Sequence, residues 1–126
     1  MVLASRRAVS GSLPLVVPGG NAFDQGVFIY DSALADGFRI IRDCNGHGVG
    51  EALHEQPGIV HWPARYLRSV MFRPGNIFTI EPIFTERSGL SVSGHDGVSG
   101  FTEMGDVGTY REVTVLVTEN GAEVIA

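Results

Sequence analysis

Gly46-His47-Gly48-Val49-Gly50 sets an imidazole among glycines, and Leu53-His54-Glu55-Gln56-Pro57 follows it with a second. Neutral imidazole suits Zn, Mn, Fe or Co, and flanking glycines let a ligand approach the backbone closely. Two glutamates stand in unusual surroundings. Glu81 is embedded in Phe78-Thr79-Ile80-Glu81-Pro82-Ile83-Phe84, and Glu112 heads the β-branched run Val113-Thr114-Val115-Leu116-Val117-Thr118. Burying a carboxylate without a partner is costly. Glu81 therefore calls for a metal, an arginine or a surface-facing edge, and Glu112 for a metal or an arginine such as Arg111 or Arg87. The other histidines are weaker candidates. His54-Glu55 is not a zincin motif, because no histidine stands four residues after His54. His61, beside Trp62, reads as a loop residue, and His95 in Ser93-Gly94-His95-Asp96-Gly97 as part of a turn.

These residues must be positioned by a small set of elements. Pro18-Gly19-Gly20 is strong punctuation, after which Asn21 reads as a helix N-cap with Asp24 in an acidic first turn. Phe23, Val27, Tyr30 and Leu34 fall at helical spacing and predict a core-facing stripe, with Gly37 as the stop. Gly26 inside that helix costs about 1 kcal/mol relative to Ala. Strands are expected at Phe38 to Ile41, Val70 to Phe72 and Ile77 to Phe84. Residues 44 to 50 must bend, and Glu86 to Gly100 reads as a loop or hairpin region. Glu112 to Val117 reads as another strand, turned back at Asn120-Gly121 into Glu123 to Ile125. Alternation puts Thr79, Glu81 and Ile83 on one face, and Glu112, Thr114 and Leu116 on another. One main helix packed on mainly antiparallel strands is an α+β fold.

The 126 residues fit a single domain, 1–126, with residues 1–20 as a disordered or helical lead-in. A net charge of -5 excludes a basic nucleic-acid footprint. No apolar run approaches the ~20 residues of a membrane-spanning helix. All nine basic residues are Arg, which with 17 Gly reflects genome composition rather than function. Cys44 is the single cysteine, read as a small buried residue. The acid-free stretch before Asp24 carries Arg6 and Arg7, as organelle transit segments do. A mean hydropathy of +0.14 points to apolar surface covered by something outside the chain.

Taken in order, the motifs resemble the C-terminal half of the methionine aminopeptidases, metal-dependent hydrolases of the "pita-bread" fold. The resemblance rests on Gly46-His47-Gly48-Val49-Gly50, His54-Glu55-Gln56-Pro57, Pro74-Gly75-Asn76-Ile77-Phe78-Thr79-Ile80-Glu81-Pro82 and the run from Glu112 through Thr118 to Gly121 and Glu123. It extends from about Leu13 to the C-terminus. It implies half of a pita-bread fold, a curved antiparallel sheet with a helix packed on it. It implies that His47, Glu81 and Glu112 are metal ligands, with Glu81 also the proton acceptor from water and His54 a contact to the substrate near the scissile bond. Carboxylates and imidazole suit divalent first-row ions. The expected cofactor is a divalent ion (Co, Mn, Fe or Zn), two in the family and at most one here.

The departures are as informative. The family's two aspartate ligands lie upstream of the glycine-histidine motif. Asp24, Asp31 and Asp36 here fall on or at the end of the expected helix, and Asp43 matches a non-ligand position. Leu53 and Val98 stand at substrate-pocket positions where many relatives have Phe and Trp, and Val113 follows Glu112 where His is common. The expectation is therefore a peptidase fragment that acts on peptide N-termini only with a complementing N-terminal half, and is inactive alone. The other reading is a non-catalytic binding protein whose exposed inner face docks a protein partner. The resemblance implies a cytoplasmic setting.

Overall fold

The computed structural model describes residues 1–126. Two helices open the chain, α1 (Val2–Ser12) and α2 (Ala22–Ala35). Strands β1 (Arg39–Ile40), β2 (Gly46–Gly48), β3 (Glu55–Ile59), β4 (Ile77–Ile80) and β5 (Ile83–Thr85) follow. The chain closes with β6 (Ser91–Ser93), β7 (Gly100–Thr102), β8 (Gly108–Tyr110), β9 (Val113–Thr118) and β10 (Gly121–Val124). Every strand pair is antiparallel. The order is β10-β9-β4-β2-β3 in the main sheet, β1-β5-β8 in a second, and β6-β7 in a separate hairpin.

The expected N-cap forms: the Asn21 side chain accepts from the Asp24 N–H at 2.9 Å. Gly37 ends the turn at φ 82°, where an L side chain would be strained. The lead-in is helical, so there are two helices rather than one. The core-facing stripe of α2 also needs correction. Its buried residues are Ala22, Gln25, Gly26, Ile29 and Ala33, while Leu34 is exposed and Phe23, Val27 and Tyr30 are half-buried. Gly26 faces inward because there the α2 backbone presses onto the Val60–Trp62 segment. A Cβ at Gly26 would stand 2.9 Å from the Val60 carbonyl oxygen. The helical cost of Gly26 thus secures a close approach.

Two strand expectations are also corrected. Val70 to Phe72 makes only an isolated bridge from Met71 to Asn21. Ile77 to Phe84 is divided at Glu81-Pro82 into β4 and β5, which enter different sheets. Pro82 has no N–H for a ladder, so pairing breaks there.

One apolar cluster unites the helices with one face of the sheets. It joins Ala8, Val9, Ile29 and Ala33 to Phe78, Ile80, Phe84, Val113, Val115 and Val117. β9 alternates cleanly, with these three valines inward and Thr114, Leu116 and Thr118 on the opposite, half-exposed face. That opposite face carries the polar site. Exposed apolar side chains gather in the 90–110 segment, among them Val92, Phe101, Met104 and Val107.

The glycine of Gly46-His47 is a packing requirement. A Cβ at Gly46 would overlap the carbonyl oxygen of Thr79 on β4. Gly46→Ala is expected to cost about 1–3 kcal/mol, as overpacking does. It will show as a lower urea midpoint, because backbone rather than a flexible side chain must move.

Candidate functional site

Register brings the candidates together. β4 pairs β9 with Thr79 opposite Thr114, and β2 pairs β4 with Gly48 opposite Phe78. His47 therefore lies beside Thr79, while Glu81 and Glu112 continue the Thr79 and Thr114 rows beyond the strand ends. The Thr79 hydroxyl links two of them. It accepts from the His47 backbone N–H at 2.9 Å and donates to Glu81 Oε1 at 2.5 Å.

The His47 ring has a defined polarity. Its Nδ1 lies 2.9 Å from the Gly48 carbonyl oxygen, so Nδ1–H donates there. Nε2 then faces Glu81 Oε1 at 3.4 Å, with both side chains about 85% buried by their exposures of 14% and 15%. In neutral imidazole, Nε2 carries a lone pair. Lone pair meets carboxylate, an arrangement that a proton or a cation between them resolves. A second ring nitrogen held by a backbone carbonyl is the usual support of a metal-binding histidine.

Glu112 enters through Tyr110. The Tyr110 hydroxyl lies 2.9 Å from Glu81 Oε2 and 2.6 Å from Glu112 Oε2. Burial raises the Tyr110 phenol above its ordinary pKa, and the hydrogen bonds to Glu112 and Glu81 raise it further. Tyr110 had no place among the sequence candidates. Its signal was spacing: two residues before Glu112, on the same side of an extended chain.

The donor types gathered here, an imidazole and two carboxylates, are those that suit divalent first-row ions, with His47 Nε2 3.4 Å from Glu81 Oε1. His, Cys, Asp and Glu side chains alone form no group of three close enough to hold an ion. The four aspartates offered upstream are placed elsewhere. Asp24 serves the helix cap and Asp31 is exposed on α2. Asp36 pairs with Arg7 at 2.8 Å, and Asp43 accepts from Ser91. Neither Arg87 nor Arg111 pairs with Glu81 or Glu112.

The remaining candidates are spread around this centre. His54 is exposed, with its ring centroid 4.3 Å from that of His47. Leu53 is 71% exposed and Val98, at the β6–β7 tip, 90% exposed. Neither lines the cavity of about 440 Å³ beside Tyr110, whose walls include Ile41, Cys44, Ile83, Phe101 and Thr109. Cys44 is half-buried there rather than fully buried. Burial pushes its thiol pKa up, Asp43 and Glu81 add to this, and the Ser91 hydrogen bond opposes them.

His61 lies in the loop after β3, as the sequence predicts, but it is buried. It is 1% exposed, and its Nε2 accepts from the Glu81 N–H at 3.0 Å. The ring proton therefore sits on Nδ1, a buried atom with no protein partner. Burial holds its pKa down at about 3. The unfolded chain, with an ordinary histidine near ~6.5, takes up the proton first. The His61 contribution to stability is therefore complete above about pH 6.5 and is lost as pH falls toward about 3, at up to ~1.4 kcal/mol per unit. Urea midpoints of the metal-free protein at pH 7.5 and 5 should differ clearly in the wild type and much less in His61→Gln.

Comparison with known proteins follows the same residues. The metallopeptidase family M24 pattern matches residues 4–119. Methionine aminopeptidase A of Synechocystis is 34% identical over 125 residues, 99% of this chain and 49% of that protein. The Escherichia coli methionine aminopeptidase is 33% identical over 114 residues, 90% of this chain and 43% of that one. The solved structure of the Thermotoga maritima methionine aminopeptidase superposes with a TM-score of 0.91 at 34% identity, over 98% of this chain and 49% of that one. The chain spans about half the length of the curated relatives it matches.

Proposed function

The chain belongs to metallopeptidase family M24 and has half of the pita-bread fold; from that premise we propose that it contributes His47, Glu81 and Glu112 to a metalloaminopeptidase centre that removes N-terminal methionine from nascent chains. The observation that carries this reading is the continuous contact from His47 to Glu81 and, through Tyr110, to Glu112 on one sheet face. The two further carboxylates of a dinuclear centre come from the other half of the fold. Without them, this stretch holds at most one ion and hydrolyses nothing.

When bound, a divalent ion supplies a Lewis acid and a water acidified toward neutral pH. The chain's own groups do the rest. Glu81 takes a proton at its carboxylate, and the Thr79 hydroxyl fixes which way that carboxylate turns. His47 keeps Nε2 free by spending Nδ1–H on Gly48. His54, exposed beside His47, donates a hydrogen bond near the scissile peptide. The hollow walled by Ile41, Ile83 and Phe101 receives the apolar first side chain. Leu53 and Val98, open to solvent here, become pocket walls when the other half covers them.

The test is complementation. This chain, mixed with the preceding half of the Thermotoga maritima relative and Mn or Co, is expected to release methionine from a Met-Ala-Ser peptide. The chain alone should release no more than its Glu81→Ala variant. Release by the chain alone, or none from a folded mixture, would count against the reading.

A further inference from the structure

We infer that His61 is a positioning residue for Glu81: its Nε2 accepts from the Glu81 backbone N–H and so fixes the point from which that carboxylate reaches the site. This rests on the reading of Glu81 as a ligand given above. The need for such a hold is set by the strands. β4 pairs with β9 as far as Ile80 opposite Val113, and β5 resumes at Ile83 in another sheet. Glu81 lies in the gap, followed by a proline that has no N–H to pair. No ladder partner therefore meets the Glu81 N–H. His61 Nε2 meets it instead, at 3.0 Å and from 20 residues away in the chain. Thr79 sets how the carboxylate turns. His61 sets where its backbone stands.

The cost of this arrangement points the same way. The His61 ring is 1% exposed, and its Nδ1 is a buried atom with no protein partner. Buried polar atoms without partners are few in native proteins, and each needs a reason. An aliphatic side chain would fill the same space with no orphan of its own, but it would leave the Glu81 N–H unpaired. Imidazole leaves one nitrogen idle and offers the other as a neutral acceptor.

The loop that carries the ring is itself pinned. A Cβ at Gly26 of α2 would stand 2.9 Å from the Val60 carbonyl oxygen and 3.2 Å from that of Trp62, so the helix backbone closes on both neighbours of His61. The Trp62 indole N–H donates to the Arg42 carbonyl oxygen at 3.1 Å. Helix, loop and imidazole thus form one continuous support behind the Glu81 backbone.

The test reads the Mn(II) affinity of the chain near neutral pH from the free-ion electron paramagnetic resonance signal. His61→Leu removes the acceptor, and its affinity is expected to fall about 10–100-fold, the scale for groups that orient metal ligands. His61→Gln places an amide oxygen where Nε2 stood and should bind nearly as the wild type does. Ile29→Ala, which opens a cavity in the core on α2, should lower the urea midpoint and leave the affinity unchanged. Where the Leu variant does not fold, His61→Asn, whose shorter amide stops short of Glu81, takes its place. In the metal-free wild type, heteronuclear NMR should also resolve a coupling between His61 Nε2 and the Glu81 amide nitrogen across the hydrogen bond. No such coupling would overturn the positioning role. So would affinity that is lost in Glu81→Gln but kept in His61→Leu, or lost equally in His61→Gln or Ile29→Ala; the metal site itself would then stand. A folded wild type that binds no Mn(II), or binds it unchanged in Glu81→Gln, would overturn the reading of Glu81 and this role with it.

Discussion

Glu81→Gln is expected to reduce kcat/KM of the complemented enzyme on Met-Ala-Ser by about 10²–10⁴, the range of a lost acid–base group. The amide keeps the size of the side chain and can still accept from Thr79, but it takes no proton and is a poor ligand. The loss should fall on kcat, because the role proposed for Glu81 is on the reacting water and not on the substrate side chain. Metal-free stability should move the other way. In the wild type, Glu81 faces the Tyr110 oxygen and the His47 Nε2 lone pair, at 2.9 and 3.4 Å. With its oxygen still accepting from Thr79 at the Oε1 place, the amide sets its NH2 at the Oε2 place, where it donates to the Tyr110 oxygen and leaves that phenol proton for Glu112. The variant should therefore melt at or above the wild-type temperature without metal, and lose the metal-dependent rise. Opposite signs in activity and stability mark a functional group rather than a structural one.

Phe84→Ala should be the most damaging single change to the fold. Phe84 is fully buried on β5, the central strand of the second sheet, and meets Phe38 at 6.4 Å between ring centroids. Truncating such a ring costs about 3–5 kcal/mol, against total stabilities of about 5–15 kcal/mol. The effect reaches the site, because β5 carries β8 as its neighbour and Phe84 pairs with Thr109, next to Tyr110. A large drop in urea midpoint is expected. Phe84→Leu, which leaves a smaller void, should lose far less. Equal losses for Leu and Ala would mean that the ring's packing is not what holds β5.

Much of this was legible before any coordinates. Asn21 and Gly37 mark the ends of α2 through cap chemistry that is local, and local interactions read well from a sequence. The valines of β9 declare their face by strict alternation. His47, Glu81 and Glu112 stood out because each breaks the pattern around it. What failed was tertiary in origin. α2 sets Gly26 inward because the Val60–Trp62 backbone is too close for a side chain there, and a helical stripe of Phe, Val, Tyr and Leu gives no hint of that neighbour. α1 buries Ala4, Ser5, Ala8, Val9 and Ser12, too small and too polar to show as an apolar periodicity. His61 is buried by the chain that folds over it, with no local pattern to announce it. Tyr110 was within reach, since only the i, i+2 rule separates it from Glu112. An aromatic before a strand reads as packing until a carboxylate is found on either side.

The most direct measurement is the number of ions held, read from the loss of the free Mn(II) electron paramagnetic resonance signal as the chain is added. The wild-type chain is expected to take up at most one Mn(II) ion, with affinity that falls sharply in His47→Ala and in Glu81→Gln. Mn(II) binding that is unchanged when His47, Glu81 and Glu112 are all replaced would contradict the account, because the ion would then sit somewhere else.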